Sequence, residues 1–115
     1  MRKGLAALAI LFLAAHLPSL PPSLEDLDSV NFALGVREFD VAQHQPHPPG
    51  YPVYIALARI STAALNAAGV DSAPSRGLAV WSALAGALLI LLAAAFFRTL
   101  DGSESRSMLA AVLLA

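Results

Sequence analysis

The chain has 115 residues, 57% of them hydrophobic and only 13% charged, where an average soluble domain has about a quarter of its residues charged. That balance points to a membrane, and a formal net charge of -1 with no basic cluster excludes a nucleic-acid partner. The absence of cysteine excludes a disulfide framework and thiolate metal sites.

Met1-Arg2-Lys3 is a positive flank, and Gly4 to Leu17 is apolar apart from His16, ending at Pro18, Pro21 and Pro22. The positive-inside rule places this N-terminus in the cytoplasm. The run is short for a span, which takes roughly 17–25 residues, and a cleaved signal peptide shares its pattern. Ala14-Ala15-His16 is a poor cleavage site, which favours an uncleaved first span over about residues 4–20.

Three carboxylates, Glu25, Asp26 and Asp28, follow within four residues. Phe32, Val36 and Phe39 then fall at i, i+4 and i+7, one face of a helix. Asp28 or Ser29 suits its N-cap. The functional alternative for Asp28 is a general base held at the membrane surface. This helix is too short and too polar to span, so it is expected at the interface.

His44-Gln45-Pro46-His47-Pro48-Pro49-Gly50-Tyr51-Pro52 is the least globular stretch. Four prolines in seven positions remove backbone donors and fix φ, so neither a helix nor a central strand runs through it. The expectation is a stiff, polyproline-like strap carrying two imidazoles and a tyrosine, either a rigid linker or part of a site.

Val53 to Ala68 follows, with Pro52 suited to the first helical turn and Gly69 to the stop. Arg59, Thr62 and Asn66 form a polar stripe opposite Val53, Leu57, Ile60, Ala64 and Ala68. An arginine at the centre of a span costs about 2.5–3.5 kcal/mol, so a helix lying flat in the interface is expected. Leu78 to Phe97 is twenty residues without a charge, roughly 30 Å of helix, which matches the hydrocarbon thickness. Trp81 near one end fits the interfacial belt, and Arg98 closes the other. Thr99 to Ser107 reads as a polar turn, and a further span starts at about 107–115. That last apolar run stops without cap or charged flank, the pattern of an N-terminal fragment of a longer membrane protein.

Lysine and arginine placement favours a first span, one outer loop over about 21–77 with two interfacial helices, a span at about 78–97 and the start of another. The expected fold class is therefore all-α: a polytopic, integral membrane protein, in the cell (inner) membrane, with its N-terminus cytoplasmic.

Asp28-Ser29-Val30-Asn31-Phe32-Ala33 and His47-Pro48-Pro49-Gly50-Tyr51-Pro52, in this layout, resemble the N-terminal portion of the membrane-integral C-type glycosyltransferase superfamily. The protein O-mannosyltransferase-like and aminoarabinose transferase-like members are the nearest in pattern. The resemblance implies transfer of a sugar from a polyprenyl-phosphate donor to an acceptor hydroxyl on a protein, lipid or glycan, at the outer face of the membrane. It makes Asp28 the catalytic carboxylate and places His47 near the donor phosphate, with His44, Tyr51, Glu25 and Asp26 as substrate-binding candidates. Many members carry a second acid directly after the first. Here that position is Ser29, so the chain lacks the second acid unless Glu25 or Asp26 supplies it. The superfamily includes members that need a divalent metal and members that do not.

The chemistry is coherent from the residues upward. A lipid phosphate is a good leaving group near neutral pH, so the work is to deprotonate a hydroxyl and to neutralise phosphate charge. Histidine is a conditional cation, with a reference pKa of about 6.5. Three other readings compete. A transporter or channel subunit expects charges at the membrane midplane, whereas 78–97 has none. A metal site from Asp40, His44 and His47 conflicts with Pro46 and Pro48. A secreted or anchored protein conflicts with a later span.

Overall fold

The computed structural model describes residues 2–101 and 103–113. Met1, Gly102 of the expected polar turn, and Leu114 and Ala115 of the final apolar run lie outside the described residues. Among the described residues five helices follow in order: α1 (Arg2–His16), α2 (Leu27–Arg37), α3 (Pro52–Ala67), α4 (Ala73–Asp101) and α5 (Glu104–Leu113), with short 3-10 turns at Leu17–Ser19 and Val41–Gln43. Among the described residues the regular structure is helical, apart from one isolated bridge between Asp40 and Gln45. The chain divides into two compact units, residues 20–81 and residues 1–19 with 82–115.

In the unit of residues 20–81, α2 packs on α3. Ala33, Ala58 and Leu78 form the core, ringed by Leu24, Phe32, Val36 and Tyr54. α2 starts earlier than the sequence suggested. Its N-cap is Asp26, neither Asp28 nor Ser29. Asp26 Oδ1 accepts from the Ser29 amide at 2.8 Å, and the Ser29 hydroxyl lies 3.4 Å from the Asp26 amide, a reciprocal capping box. Only a residue three positions before Ser29 can close that ring, which leaves Asp28 inside the first turn and not the cap. α2 ends at Arg37, so Phe39 lies beyond the helix whose face it was expected to complete.

The proline strap is not extended. Asp40 and Gln45 exchange two backbone hydrogen bonds, at 2.6 and 2.8 Å, and Asp40 accepts from the Ala42 and Gln43 amides and from the Gln43 side chain. These bonds close a tight turn. The Gln45–Pro46 and Pro48–Pro49 peptides are cis, and Pro46 is fully buried. Its ring lies against Gly35, where a Cβ would come within 2.6 Å of Pro46 Cδ. The strap is thus a folded knot seated on α2, because backbone pairing and burial of Pro46 outweigh the extended preference of isolated prolines.

Pro52 opens α3, and Gly69 at φ 69° closes it. The Gly69 amide donates to the Asn66 carbonyl and the Val70 amide to the Leu65 carbonyl, both at 3.0 Å, the paired bonds of a Schellman stop. α3 buries one face against the protein and leaves large apolar side chains exposed on another. Ile55, Ala58 and Thr62 are buried, while Val53 and Ile60 are 73% and 65% exposed. Of the polar stripe, Thr62 is buried, while Arg59 and Asn66 are exposed and Arg59 reaches back to the α2 backbone. Thr62 meets Gly77, and Arg59 donates from Nε to the Val36 carbonyl at 2.9 Å and from Nη2 to that of Gly35 at 3.1 Å. These are end carbonyls of α2, which have no partner within their own helix, and a guanidinium there also complements the helix dipole.

α4 is longer than the uncharged run 78–97. It starts at Ala73, where the Ser75 hydroxyl and the Arg76 amide both find the Ser72 carbonyl. Residues Ala73–Leu100 include a window of mean hydropathy 2.3, and among the described residues this is the one helix long and apolar enough to cross a membrane. The expected first span, 4–20, forms α1 and its 3-10 turn; Lys3–Ser19 is apolar but shorter than that length. The polar turn before α5 is tighter than expected because the Ser103 hydroxyl accepts from the Arg106 amide and starts a helix there. In this second unit Leu5, Ile90, Ala94 and Ala111 are buried together with Leu8, Phe12 and Met108 against them.

Candidate functional site

Asp28 and His47 come from separate segments, the first turn of α2 and the folded strap. Asp28 Oδ1 lies 3.9 Å from His47 Nδ1. That separation is beyond hydrogen-bond distance and within reach of an ion pair when the imidazole is protonated. The Asp28 side chain is 71% exposed and that of His47 28%, so the carboxylate is open to a ligand while the ring is held. His47 Nδ1 is itself buried and has no hydrogen-bond partner among the described residues.

The ring is held by aromatics. Phe32 sits at the centre of the group, with the His47, Tyr51 and Tyr54 rings at centroid distances of 5.5, 5.3 and 5.1 Å. His47 also meets the edge of Tyr51 at 5.5 Å. The knot supplies His47 and Tyr51, with Tyr51 in the left-handed region at φ 46°, α2 supplies Phe32 and α3 supplies Tyr54. Tyr54 donates to the Leu78 carbonyl at 3.1 Å, and burial pushes its phenol up from its ordinary value.

Beside Asp28 runs a groove of about 370 Å³. Glu25, Asp26, Asp28 and Ser29 line one part, and Leu24, Phe32, Tyr54, Leu78 and Ala79 supply apolar surface. Glu25 accepts from the Ser23 hydroxyl at 3.0 Å. The amide and hydroxyl of Ser29 hold the Asp26 carboxyl below its usual range. Asp26 is therefore an ionised helix cap lining the groove, a role the sequence had assigned to its neighbours.

Of the residues singled out from sequence, Asp28, His47 and Tyr51 gather around Phe32, and Glu25, Asp26 and Asp28 share the groove. His44 stands apart. It is exposed, at φ 57° in the turn, and does not line the groove. Asp40 is engaged within its own turn, and no group of three His, Cys, Asp or Glu side chains able to hold a metal occurs among the described residues. The sequence reading did not single out Tyr54 and placed Phe32 on a helix face without a role at the site. The signal was present in Tyr51-Pro52-Val53-Tyr54, where a helix starting at Pro52 brings its first-turn tyrosine beside the strap. Comparison with protein families, curated proteins and solved structures finds no match to this chain.

Proposed function

We propose that this chain carries the acceptor-activating part of an integral membrane glycosyltransferase of the C-type superfamily, moving a sugar from a polyprenyl-phosphate donor to an acceptor hydroxyl at the outer face of the membrane. The observation that carries this reading is the approach of Asp28 to His47, at 3.9 Å, beside a groove. Asp28 accepts the acceptor's proton as the hydroxyl oxygen bonds to the anomeric carbon. The bond from that carbon to the phosphate oxygen breaks, and the phosphate leaves with the electron pair. His47, as imidazolium, balances the departing charge. Tyr51 borders the same approach, and Glu25 and Asp26 border the acceptor.

The membrane setting has its own support. The window within α4 is only 28% buried, and Leu88, Leu89, Leu92 and Phe96 are exposed along it. Exposed apolar side chains of that kind mark a surface covered by lipid or by other protein, and we take the cover to be lipid. On this reading α1 and α5 contribute to further spans of a polytopic protein, and the exposed Val53 and Ile60 seat α3 in the interface with the N-terminus cytoplasmic.

The test is transfer of a labelled sugar from a polyprenyl-phosphate donor by the full-length protein in nanodiscs. Asp28→Asn is expected to lower turnover by about 10²-fold or more with the protein still folded. His47→Gln is expected to weaken donor use, and His47→Lys to restore it. Unchanged turnover in Asp28→Asn overturns the assignment of the base. No transfer by the wild type from any polyprenyl donor overturns the reading and favours a transporter.

A further inference from the structure

The groove beside Asp28 is lopsided in charge. Three carboxylates, Glu25, Asp26 and Asp28, line it, and among the described residues no lysine, arginine or histidine does. Phe32, Tyr54 and Leu78 line the same groove. His47 is not part of the lining; it sits with Phe32 and Tyr51 and faces Asp28. Asp28 therefore belongs to both places, the groove and the imidazole.

Those surroundings suit different ligands. A phosphate needs a counter-charge, which the imidazole side can supply and the groove cannot. An anionic group about 5 Å from an exposed carboxylate loses roughly fourfold in binding per carboxylate at low salt. An uncharged sugar ring meets no such penalty. Its hydroxyls donate to carboxylates in charge-assisted hydrogen bonds, and its C–H face packs on Phe32, Tyr54 and Leu78. The volume of about 370 Å³ lies at the small end of ligand pockets, which run from about 300 to 1,000 Å³, and this suits one compact ring.

We infer that the groove is the acceptor subsite, that it takes an uncharged sugar ring, and that Glu25 makes it a filter against anionic acceptors. The assignment to an acceptor rests on the transfer reading above; the charge preference rests on the lining alone. Glu25 is the determinant because Asp28 is the base and Asp26 is committed to capping α2, whereas Glu25 is exposed and its recorded side-chain bond is to Ser23.

The experiment uses the full-length protein in nanodiscs of zwitterionic lipid, with methyl glucoside and methyl glucuronide as probes, matched in shape and differing in charge. Ligand-detected saturation-transfer NMR is expected to show glucoside binding at least about tenfold tighter than glucuronide at low salt. The gap should close near 1 M salt, where the screening length falls to about 3 Å. Glu25→Lys is expected to narrow the gap about tenfold, Glu25→Gln to narrow it less, and Ala79→Phe, which fills the groove, to remove both signals. Equal binding of the two probes, a gap unmoved in Glu25→Lys, or binding that survives Ala79→Phe overturns the filter. The same pair offered as acceptors separates the two ideas. A charge gap without transfer removes the transfer reading and keeps the filter. Transfer to both probes without a gap removes the filter and keeps the transfer reading.

Discussion

The two units of this chain solve packing in opposite ways. In residues 20–81, side chains reach from one segment to the backbone of another: Arg59 to Gly35 and Val36, Tyr54 to Leu78, Ser61 to Gly77, with Trp81 donating in turn to Ser61. In the unit containing α1, α5 and most of α4, Leu5, Ile90, Ala94 and Ala111 pack through apolar contact, and hydrogen bonds such as Ser107 to Ser103 and Thr99 to Phe96 close back on the preceding turn. Directional bonds fix distances, and apolar contact fixes only proximity. The unit that must hold Asp28 near His47 is the one built with directional bonds.

A charge placed on each unit tests this contrast most severely. Leu89 and Ile60 are both more than half exposed, one on α4 and one on α3. In a lipid-spanning α4, Leu89→Lys is expected to cost about 2.5–3.5 kcal/mol of insertion, read as the inserted fraction in a microsomal glycosylation assay. Ile60→Lys is expected to cost much less, because a lysine stem at the interface reaches the headgroups. Equal and negligible effects remove the membrane assignment of α4.

Glycine substitutions probe the same contrast at smaller scale. A Cβ on Gly77 meets the Thr62 hydroxyl and comes within 2.9 Å of the Thr62 amide nitrogen, whereas a Cβ on Gly86 meets only the Phe12 ring, at 2.7 Å. Backbone cannot step aside and a phenyl ring can. Gly77→Ala is therefore expected to destabilise by about 1–3 kcal/mol and Gly86→Ala by clearly less, measured as thermal unfolding in nanodiscs. The reverse order contradicts the tight α3–α4 contact.

Tyr54→Phe removes one bond, to the Leu78 carbonyl, and is expected to cost about 0.5–1.5 kcal/mol. The phenol also gives a sign at high pH. Its folded pKa is raised by burial, so the unfolded chain loses the proton first. The stabilisation is full below the ordinary value near 10 and falls as pH rises through it toward the folded value. A flatter alkaline limb in Tyr54→Phe than in wild type is the expected result.

Much of this was legible because it is local. Pro52 and Gly69 set the ends of α3, and the long uncharged run marks the body of α4. The faces of α3 were harder. Its polar stripe was identified, but the burial of Thr62 depends on Gly77 and the partners of Arg59 are the carbonyls of Gly35 and Val36, all far away in sequence. The strap misled for a related reason. Proline spacing states what the chain cannot do, and the fold depended on a backbone pairing between Asp40 and Gln45 and on a glycine, Gly35, that makes room for Pro46. Asp28 and His47 were singled out through a likeness to a known pattern; the groove beside Asp28 combines Leu24, Tyr54 and Leu78, which no local spacing links.

The cap of α2 offers the gentlest test, and it separates two carboxylates two positions apart. Asp26 is held ionised by the Ser29 amide and hydroxyl, so its folded pKa lies below the ordinary 3.8. A carboxylate shifted in that direction contributes its stabilisation in full above the ordinary value, and the contribution is lost as pH falls through the lower folded value. Acid should therefore fray α2 from its first turn. The hydrogen-exchange protection of the Ser29 amide, bonded to Asp26 at 2.8 Å, is expected to fall as pH drops below about 3.8. Asp26→Asn can still accept that bond but does not titrate, so its protection should start lower and stay flat with pH. Asp28→Asn should keep the wild-type acid response, because its carboxylate does not serve as the cap. If the acid response disappears in Asp28→Asn instead, then Asp28 is the cap, its carboxylate is committed to the helix, and the proton acceptor must be sought at Glu25 or Asp26.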